Sequence, residues 1–423
     1  MAPMKISARI ANPSLHVPLS LGIPRQSLHV SSRTRNSKYI HVDEESLSGY
    51  NPQRYCPIKP GSTLAQSYTA LVKLGYGRAS TTWLCKDIKY VRFYRSLANL
   101  HQPTHPSKSR SAYKVLNVGA ADATHRERTT FEKIGRAATD SPAEHRGSIC
   151  VRQAERMFDV ASKGQTYNCF VFEPLGPNLL EFTNRPSNRP FGSQNVRVTA
   201  TYLLHAMDFL HTNGIAHTAI KLDNIQITLP DEQDSYLDAF RAAERSSPSF
   251  SKLGQGDISA IASREMEQDE LGYPILCDLG SAVFDEERYP GVVQALPYRA
   301  PEVILGAAWD HKIDVWNFGV LIWELLFTEQ LFGDSDERGL IEAMIRYVGI
   351  PPKSFLKLCR QSGTFFDGNG NWTHGTIDTV RLEDRIEQGT SNADFFDFLR
   401  CALQWDPRER SSAAQLLDHS WLK

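Results

Sequence analysis

Paired cysteines are absent from this sequence. Its seven cysteines are dispersed, with no C-x-x-C pair among them: Cys56, Cys85, Cys150, Cys169, Cys277, Cys359 and Cys401. A disulfide framework needs an even, patterned set of cysteines, and a zinc site needs short ligand spacings. The pattern therefore predicts reduced thiols and an intracellular protein, cytoplasmic or nuclear.

Long hydrophobic runs and a large net charge are also missing. The longest apolar candidate, 315–327, contains Asn317 and Glu324, and it is shorter than the roughly 18 residues that a spanning helix needs. We predict that it is a buried helix and that the chain has no membrane span. The formal net charge is −1, which argues against direct nucleic-acid binding through net electrostatics. The 423 residues fit one two-lobed domain or two ordinary ones.

Acidic residues are absent from positions 1–42, which carry six lysines and arginines and many serines. This composition is typical of a mitochondrial transit peptide, but it also fits a disordered basic tail. Pro13, Pro18 and Pro24 interrupt any long amphipathic helix and so favour the tail. We predict that residues 1–60 form a basic, disordered extension, with a mitochondrial targeting segment as the alternative.

The first half of the remaining sequence is rich in strand signals and the second half in helical ones. The predicted elements are two strands joined by a glycine turn over 68–87, a strand over 111–118, a helix over 124–135 that ends at Gly135, a strand over 167–176 and a helix over 196–214. Alternating apolar residues indicate the strands, and apolar residues three and four apart indicate the helices. The sequence therefore predicts an α+β protein in which a small β-rich lobe precedes a larger α-helical lobe.

Two polar segments interrupt these elements. Residues 88–110 are basic and contain no acidic residue, and residues 229–270 are rich in Ser, Asp and Glu. Both are predicted to be flexible loops inserted into the fold. The segment 88–110 has a second interpretation, that it does not belong to the mature protein.

Several short motifs follow one another in a fixed order. They are Gly75-Tyr76-Gly77 in the first hairpin, Lys114 on the next strand, Glu127 on the following helix, HTAIKLDNI over 217–225, Asp278-Leu279-Gly280, Ala300-Pro301-Glu302 and DVWNFG over 314–319. A glycine pair lets backbone N–H groups approach a phosphate, but alone it is usually an ordinary turn. The functional prediction therefore depends on the whole ordered set.

With these motifs the sequence resembles the eukaryotic protein-kinase family over residues 64–423. It looks most like the SR-protein-specific serine/threonine kinases and their fungal relatives, because of KLGYGRASTTWL, FEPLG, Thr218, Ile220 and DLGSA. The resemblance implies the two-lobed protein-kinase fold, with an N-lobe over 64–175 and a C-lobe over 176–423. It also implies a monomer that uses ATP and Mg²⁺ and acts on Arg/Ser-rich or basic protein segments.

The resemblance assigns roles to individual residues. The nucleotide-binding residues would be Gly75 and Gly77 over the phosphates, Lys114 on the α- and β-phosphates, Glu127 orienting Lys114, Phe172 behind the adenine, and Glu173 and Leu175 binding adenine through their backbone. Asn224 and Asp278 would be the Mg²⁺ ligands. Oxygen donors suit Mg²⁺, which takes few protein ligands when phosphate supplies others.

Four further positions would be architectural by the same resemblance. His217 would hold the catalytic loop by packing and hydrogen bonding, and the Asp314 carboxylate would cap the backbone of that loop. Glu302 and Arg410 would form a buried ion pair between distant parts of the C-lobe.

The family pattern breaks at Ala219. Related kinases have Asp at this position, where it accepts or orients the proton of the substrate hydroxyl, and alanine can do neither. A positioned general base contributes roughly 10²–10⁴-fold in rate. Lys221, which would steady the transferring phosphoryl group, is retained, and the family equivalent of Asp223 points away from the substrate.

Three interpretations of this change remain open from the sequence. The chain is a weak serine/threonine kinase of the SR-protein type, because phosphoryl transfer depends mostly on positioning and electrostatics. Alternatively it is a pseudokinase that acts as a nucleotide-binding scaffold or interaction module. In the third interpretation, Ala219 is a recent or engineered change in an active kinase.

Overall fold

The computed structural model describes residues 41–90, 112–140, 145–185, 191–254, 257–285, 291–333, 336–385 and 393–423. The predictions for residues 1–40 and for most of the basic segment 88–110 lie outside these ranges.

An antiparallel sheet forms the N-terminal lobe. Its strands are β1 (Thr63–Leu64), β2 (Tyr68–Tyr76), β3 (Ser80–Asp87), β4 (Tyr113–Ala120), β5 (Arg156–Ser162) and β6 (Gln165–Phe172), in the spatial order β1-β2-β3-β4-β6-β5. The glycine hairpin predicted over 68–87 is confirmed as β2 and β3. Apolar residues alternate along these strands, so Leu84 and Val115 face one core while Cys85 and Leu116 face the other.

Helix α1 (His125–Asp140) packs against the sheet through Phe131 and Ile134. The sequence predicts that it ends at Gly135, and this is wrong, because the helix continues for five more residues. Gly135 is exposed and a Cβ there would meet no atom within 4 Å. A glycine in an exposed helix interior costs only about 1 kcal/mol, which neighbouring packing offsets.

The rest of the chain is mainly helical, as predicted. Its helices are α2 (Leu179–Thr183), α3 (Ser193–Thr212), α4 (Gln233–Ser246), α5 (Pro301–Ile304), α6 (Lys312–Phe327), α7 (Glu337–Val348), α8 (Lys353–Leu356), α9 (Ala393–Ala402) and α10 (Ala413–Leu417). Helix α6 is apolar on nearly all sides and buried, which confirms the buried helix over 315–327. None of the helices in the described ranges is long and apolar enough to cross a bilayer.

Short strands in the helical lobe position two loops. The strands are β7 (Leu175–Asn178), β8 (Ile215–Ala216), β9 (Ile225–Thr228), β12 (Pro274–Leu276) and β13 (Val283–Phe284). β12, β9 and β7 form one small sheet, and β13 pairs with β8. The loop 217–224 therefore runs between β8 and β9, and the loop 277–282 runs between β12 and β13, so the two loops lie side by side.

Residues 41–60 are ordered against the sheet, which makes the prediction of disorder wrong for this part of 1–60. Short 3₁₀ helices occupy Asp43–Ser46 and Pro52–Arg54. Tyr55, Cys56 and Ile58 are buried, and Cys56 and Ile58 cover the sheet face that does not pack on α1. The acid-poor composition that suggested disorder ends at residue 42, and the apolar residues that follow bury themselves.

The segment 229–270 is not a loop, so that prediction is also wrong. It contains α4 and a hairpin of β10 (Ser251–Gly254) and β11 (Asp257–Ile261). Leu237 of α4 is fully buried in the main core. The apolar residues Tyr236, Leu237 and Phe240 are spaced for one helix face, a signal hidden by the polarity of the segment as a whole.

Candidate active site

Asp314 of helix α6 holds the loop 217–224. Its Oδ2 accepts a hydrogen bond from the His217 backbone N–H at 2.7 Å, and its Oδ1 accepts one from the Thr218 N–H at 2.8 Å. His211 Nε2 lies 3.1 Å from the same carboxylate. The predicted capping role of Asp314 is therefore confirmed, and one buried side chain determines the path of the loop.

The charge of Asp314 is stabilised where it is buried. Burial by itself raises the pKa of a carboxyl group, because the charged form loses its hydration. His211, His217 and the loop N–H groups oppose that effect and together hold the pKa of Asp314 below its usual value. Asp314 is thus a fixed negative charge beneath the loop.

His217 also has the structural role predicted for it. Its side chain is fully buried, and Nε2 lies 2.9 Å from the Cys277 carbonyl oxygen. Its Nδ1 accepts a hydrogen bond from the Ala219 N–H at 3.2 Å. The histidine therefore joins the two loops and fixes the backbone at residue 219.

Two residues at this place have left-handed backbone conformations. Thr218 has φ 65° and Asp278 has φ 62°. Such values are uncommon for residues other than glycine and costly for a β-branched residue such as threonine. The Thr218 hydroxyl donates to the Ser281 carbonyl oxygen at 2.8 Å, which helps to hold the conformation. Backbone strain of this kind concentrates at functional sites, and sequence analysis did not predict it here.

Ala219 lies at the centre of this frame and carries no ionisable group. Its N–H is held by His217, and its carbonyl oxygen accepts a hydrogen bond from the Asn224 side-chain amide at 2.8 Å. Both hydrogen bonds involve the backbone, so alanine leaves them unchanged. The loop therefore keeps its conformation without an acid at residue 219.

Lys221 and Asp223 form an ion pair at the partly exposed side of the loop, with Nζ 2.6 Å from Oδ2. The kinase resemblance predicts that Asp223 points away from the substrate. The structure adds that its carboxylate lies beside the ammonium group predicted to face the transferring phosphoryl group.

Asn224 and Asp278 are brought to the same edge of the two loops. The Cys277 N–H donates to the Asn224 carbonyl oxygen at 2.8 Å and so joins the loops next to both residues. The Asn224 side chain uses its NH₂ group on Ala219, and none of the described residues donates to its oxygen Oδ1. Asp278 is exposed, and its Oδ1 receives only a long contact of 3.4 Å from the Gly280 N–H. Two oxygen donors are thus available, and they are of the kind that Mg²⁺ prefers.

The glycine turn between β2 and β3 leaves room for a ligand at its backbone. A Cβ at Gly75 would meet no atom within 4 Å, and one at Gly77 would lie 3.3 Å from the Ser80 hydroxyl oxygen. The Tyr55 hydroxyl oxygen is 2.9 Å from the carbonyl oxygens of both Gly77 and Arg78. Tyr55 lies in the extension that the sequence predicts to be disordered, so this contact is not among the predictions.

Lys114 has different partners from the one predicted. Its Nζ lies 2.9 Å from Glu155 Oε2 and also contacts the Glu173 carboxylate, and Glu127 is not within ion-pair distance. Because burial and the neighbouring Glu155 disfavour a second negative charge, the pKa of Glu173 is raised. The predicted Lys114–Glu127 pair is therefore not formed in this structure.

Glu127 lies instead in a negatively charged and poorly hydrated environment. Burial, followed by the charge of Asp278, raises its pKa to about 8, while Arg152 acts in the opposite direction. The Arg152 guanidinium lies 4.4 Å above the Phe172 ring and is hydrogen-bonded to the Gln226 side chain. Arg152 was not predicted, because the sequence around it has no motif that distinguishes it from a surface arginine.

Phe172 is buried where α1 meets the sheet, with its ring centroid 5.4 Å from that of Phe131. The chain then passes through Glu173 into β7, where Leu175 pairs with Thr228. The structure thus places Phe172, Glu173 and Leu175 at the passage from the β-rich lobe to the helical lobe. Their contacts with adenine remain predictions.

The buried ion pair predicted for the helical lobe is confirmed. Arg410 donates from Nη1 to Glu302 Oε1 and from Nη2 to Glu302 Oε2, each at 2.6 Å, and both side chains are fully buried. A two-point pair of this kind fixes geometry as well as charge. It joins the residues just before α10 to helix α5.

Comparisons with known proteins agree with this arrangement. A family model described as the protein kinase domain matches residues 261–422. A serine/threonine protein kinase of Aspergillus fumigatus is 30% identical over 90% of this chain and 91% of its own length. The serine/threonine-protein kinase SRPK of Physarum polycephalum is 26% identical over 90% of this chain and 91% of its own length. The human dual specificity protein kinase CLK2 is 27% identical over 74% of this chain and 58% of its own length.

A crystal structure of a kinase domain superposes with a TM-score of 0.63 at 20% identity, and the match covers 88% of this chain and all of that one. At this identity the match speaks for the fold, which is the two-lobed kinase fold. The chain belongs to the protein kinase family. Its relatives include serine/threonine kinases, SRPK among them, as the sequence resemblance implied, and also the dual specificity kinase CLK2.

Proposed function

We propose that this chain binds Mg-ATP and that its phosphotransfer to serine or threonine in Arg/Ser-rich or other basic protein segments is weak or lost. One observation carries the proposal: Ala219, which stands where the kinase motif has its catalytic Asp, lies in a loop whose backbone frame is intact. Asp314 and His217 hold that position by hydrogen bonds to the backbone. The missing function is therefore that of one side chain.

The chemical consequence concerns one proton. A serine hydroxyl that attacks a phosphoryl group loses its proton during transfer, and a positioned carboxylate would accept or orient it. The methyl group of Ala219 can do neither, so the proton must leave to water. Lys221 still supplies a positive charge at the loop, and positioning supplies most of the catalysis in this reaction class. A slow residual transfer is consistent with both.

The donors at the loop edge suit a magnesium nucleotide. Asn224 Oδ1 and the exposed Asp278 carboxylate would hold Mg²⁺, which would supply positive charge to neutralise the phosphates. The unobstructed backbone at Gly75 suits the approach of a phosphate. These features support ATP and Mg²⁺ as the cofactors of this chain.

Lys114 fits the nucleotide only after it changes partners. Its present ion pairs with Glu155 and Glu173 would have to give way to Glu127 before the α- and β-phosphates could be paired as the family template requires. In kinases, the making and breaking of this Lys–Glu pair separates active from inactive states. We therefore interpret the arrangement as an inactive one.

The alternative function is a scaffold that binds nucleotide without using it. The absent base and the engaged Lys114 both favour this alternative, and the oxygen donors of Asn224 and Asp278 are compatible with it. The scaffold and the weak kinase predict the same nucleotide binding and differ only in phosphotransfer.

The compartment and the partners also belong to this proposal. We propose an intracellular monomer, cytoplasmic or nuclear, with a mitochondrial location as the alternative because of the basic first 42 residues. A fusion of residues 1–60 to a fluorescent protein would separate these, since a transit peptide alone would carry the reporter into mitochondria.

The testing experiment combines binding with a single turnover. Mg-ATP should raise the melting temperature in a thermal-shift assay, because a ligand at about 100 times its Kd stabilises the folded protein by about 2.7 kcal/mol. Single-turnover transfer from radiolabelled Mg-ATP to an Arg/Ser peptide then measures chemistry. Binding with slow transfer identifies a weak kinase, and binding with no transfer identifies a scaffold. The absence of both a thermal shift and transfer would refute the proposal.

A further inference from the structure

Lys73, just before the glycine turn, is held by residues from two other segments of the chain. Lys73 precedes Leu74-Gly75-Tyr76-Gly77, and its side chain is 1% exposed. Its Nζ lies 2.8 Å from the Ile261 carbonyl oxygen and 3.2 Å from Asp43 Oδ2, and it contacts the Glu44 carboxylate. Its own carbonyl oxygen accepts a hydrogen bond from the Arg264 N–H at 2.9 Å.

Three consecutive acidic residues hold this arrangement together. Glu44 pairs with Lys73, while Asp43 accepts a hydrogen bond from the Ser263 N–H at 2.6 Å. Glu45 pairs with Lys252 of β10 at 2.9 Å. Asp43 and Glu44 thus share Lys73, while Asp43 also binds Ser263 and Glu45 binds Lys252. The segment 42–46 lies between the glycine-bearing strand and the hairpin β10–β11.

The other end of the insertion is anchored in the helical lobe. The insertion leaves the small sheet after β9 and returns to it at β12. The Gln268 side chain donates to the Thr228 carbonyl oxygen at 3.1 Å, and Arg185 Nη2 donates to the Met266 carbonyl oxygen at 3.0 Å. Leu237 of α4 is fully buried. The insertion therefore spans from the helical lobe to β2.

We propose that this clamp, defined as residues 42–46, Lys73, 251–254 and 257–264, positions the glycine turn over the loop 217–224. The inference rests on the nucleotide binding proposed above and deepens it. The direct chain connection between the lobes passes through Glu173, and the clamp adds a second connection at the strand that would cover the phosphates. A misplacement of about 1 Å in such a group can cost about 100-fold in rate.

The buried charges make the clamp sensitive to the loss of a single partner. Removing one member of a buried ion pair leaves an uncompensated charge, which is strongly destabilising. Loss of Lys73 would leave Asp43 and Glu44 without a cation and would release segment 42–46 from the turn. Lys73 and Ser263 are positioning residues in this scheme, because neither is proposed to touch the nucleotide.

The test compares three purified full-length variants with the wild type. Lys73→Met removes the central cation and keeps the length of the side chain. Ser263→Ala with Asp43→Asn loosens the contact more mildly and serves if Lys73→Met fails to fold. Lys86→Met is the matched control, because Lys86 lies on the adjacent strand β3 and contacts Tyr113 rather than the clamp. Hydrogen exchange and mant-ATP fluorescence are measured on each.

The expected result is faster exchange over 68–83 by at least tenfold in Lys73→Met, with helix α6 unchanged as the internal reference. The Kd for Mg-mant-ATP should rise at least fivefold in that variant and twofold or more in the milder one, and Lys86→Met should match the wild type. Faster exchange confined to 251–254 and 257–264, with an unchanged Kd, would overturn the inference. If the wild type does not bind mant-ATP, the proposed function fails, and the exchange data alone decide whether the clamp holds the turn.

Discussion

The loop 217–224 and the strand that carries Lys114 are two halves of one proposed site, and they differ in how completely they are assembled. At the loop, Asp314 and His217 occupy the places that the sequence predicts. At the strand, Lys114 is paired with Glu155 and Glu173 rather than with Glu127. The loop has its frame but lacks its acid, whereas the strand has its residues but not their pairing.

The difference reflects what holds each half. The loop depends on backbone hydrogen bonds to a buried carboxylate, and these persist whichever side chain stands at 219. The Lys114 pair depends on the ends of long side chains that are carried by two elements, β4 and α1. Glu155 and Glu173 carry the same charge as Glu127, so an exchange of partners would replace one ion pair of Lys114 with another. We expect the first half to be rigid and the second to be switchable.

The substitution Ala219→Asp should have the largest effect. If only the base is missing, it should raise the single-turnover rate on an Arg/Ser peptide by about 10²–10⁴-fold, with little change in the Kd for Mg-ATP. Ala219→Asn is the control of equal size that cannot act as a base. Equal rates in the wild type and in Ala219→Asp would mean that another group accepts the proton, and Asp223 beside Lys221 would be the next residue to replace.

The buried pair Glu302–Arg410 tests whether the frame is as rigid as the comparison assumes. Arg410→Met removes one partner and leaves a buried carboxylate unpaired, so we expect about 3–5 kcal/mol of lost stability in urea unfolding. Arg410→Met with Glu302→Leu, in which neither charge remains, should recover much of this loss. Failure of the double variant to recover would show that the geometry of the pair, not the stranded charge, sets the cost.

The pH dependence of stability should show that the pKa of Asp314 is lowered in the folded protein, whereas burial alone raises the pKa of an acid. The pKa of Asp314 is lower in the folded protein than its usual value of 3.8, so its contribution is present above that value and is lost as the pH falls through the folded pKa. Asp314→Asn removes the charge and should cost about 1–3 kcal/mol at pH 7. The gap between wild type and variant should shrink below about pH 4. A gap that stays constant down to acid unfolding would contradict the assigned role.

Particular residues show how far sequence analysis reached into this site. The sequence predicts Asp314, His217 and the Glu302–Arg410 pair correctly, because each lies in a motif whose partners are set by the fold. It misses Tyr55 and Arg152 because their roles arise from packing between segments far apart in the chain. The partners of Lys114 are missed for a different reason: the motif identifies the lysine but does not reveal that Glu155 and Glu173 bind it in place of Glu127.

The strand half of the site can be tested through Glu127, where we expect the smallest effect. With a pKa of about 8 in the folded protein, Glu127 is mostly protonated at pH 7, and a pair with Lys114 requires the ionised form. If nucleotide binding forms that pair, it releases a proton, and affinity for Mg-mant-ATP should rise about fivefold from pH 7 to pH 8. Mg²⁺ bound to Asp278 would cancel the effect of the Asp278 charge, which is the smaller cause of the raised pKa of Glu127. Burial, the larger cause, would remain.

The matched variant for this test is Glu127→Gln, which copies the protonated form and should bind with the same affinity at both pH values. The same shift also makes a prediction about folding. Because Glu127 keeps its proton to a higher pH when folded than when unfolded, it lowers stability progressively as the pH rises from about 4.5 to about 8, and Glu127→Gln should remove that slope. If affinity is flat with pH while the stability slope is present, Glu127 titrates as described but nucleotide does not draw Lys114 to it. The strand half of the site would then be fixed in its present pairing rather than switchable.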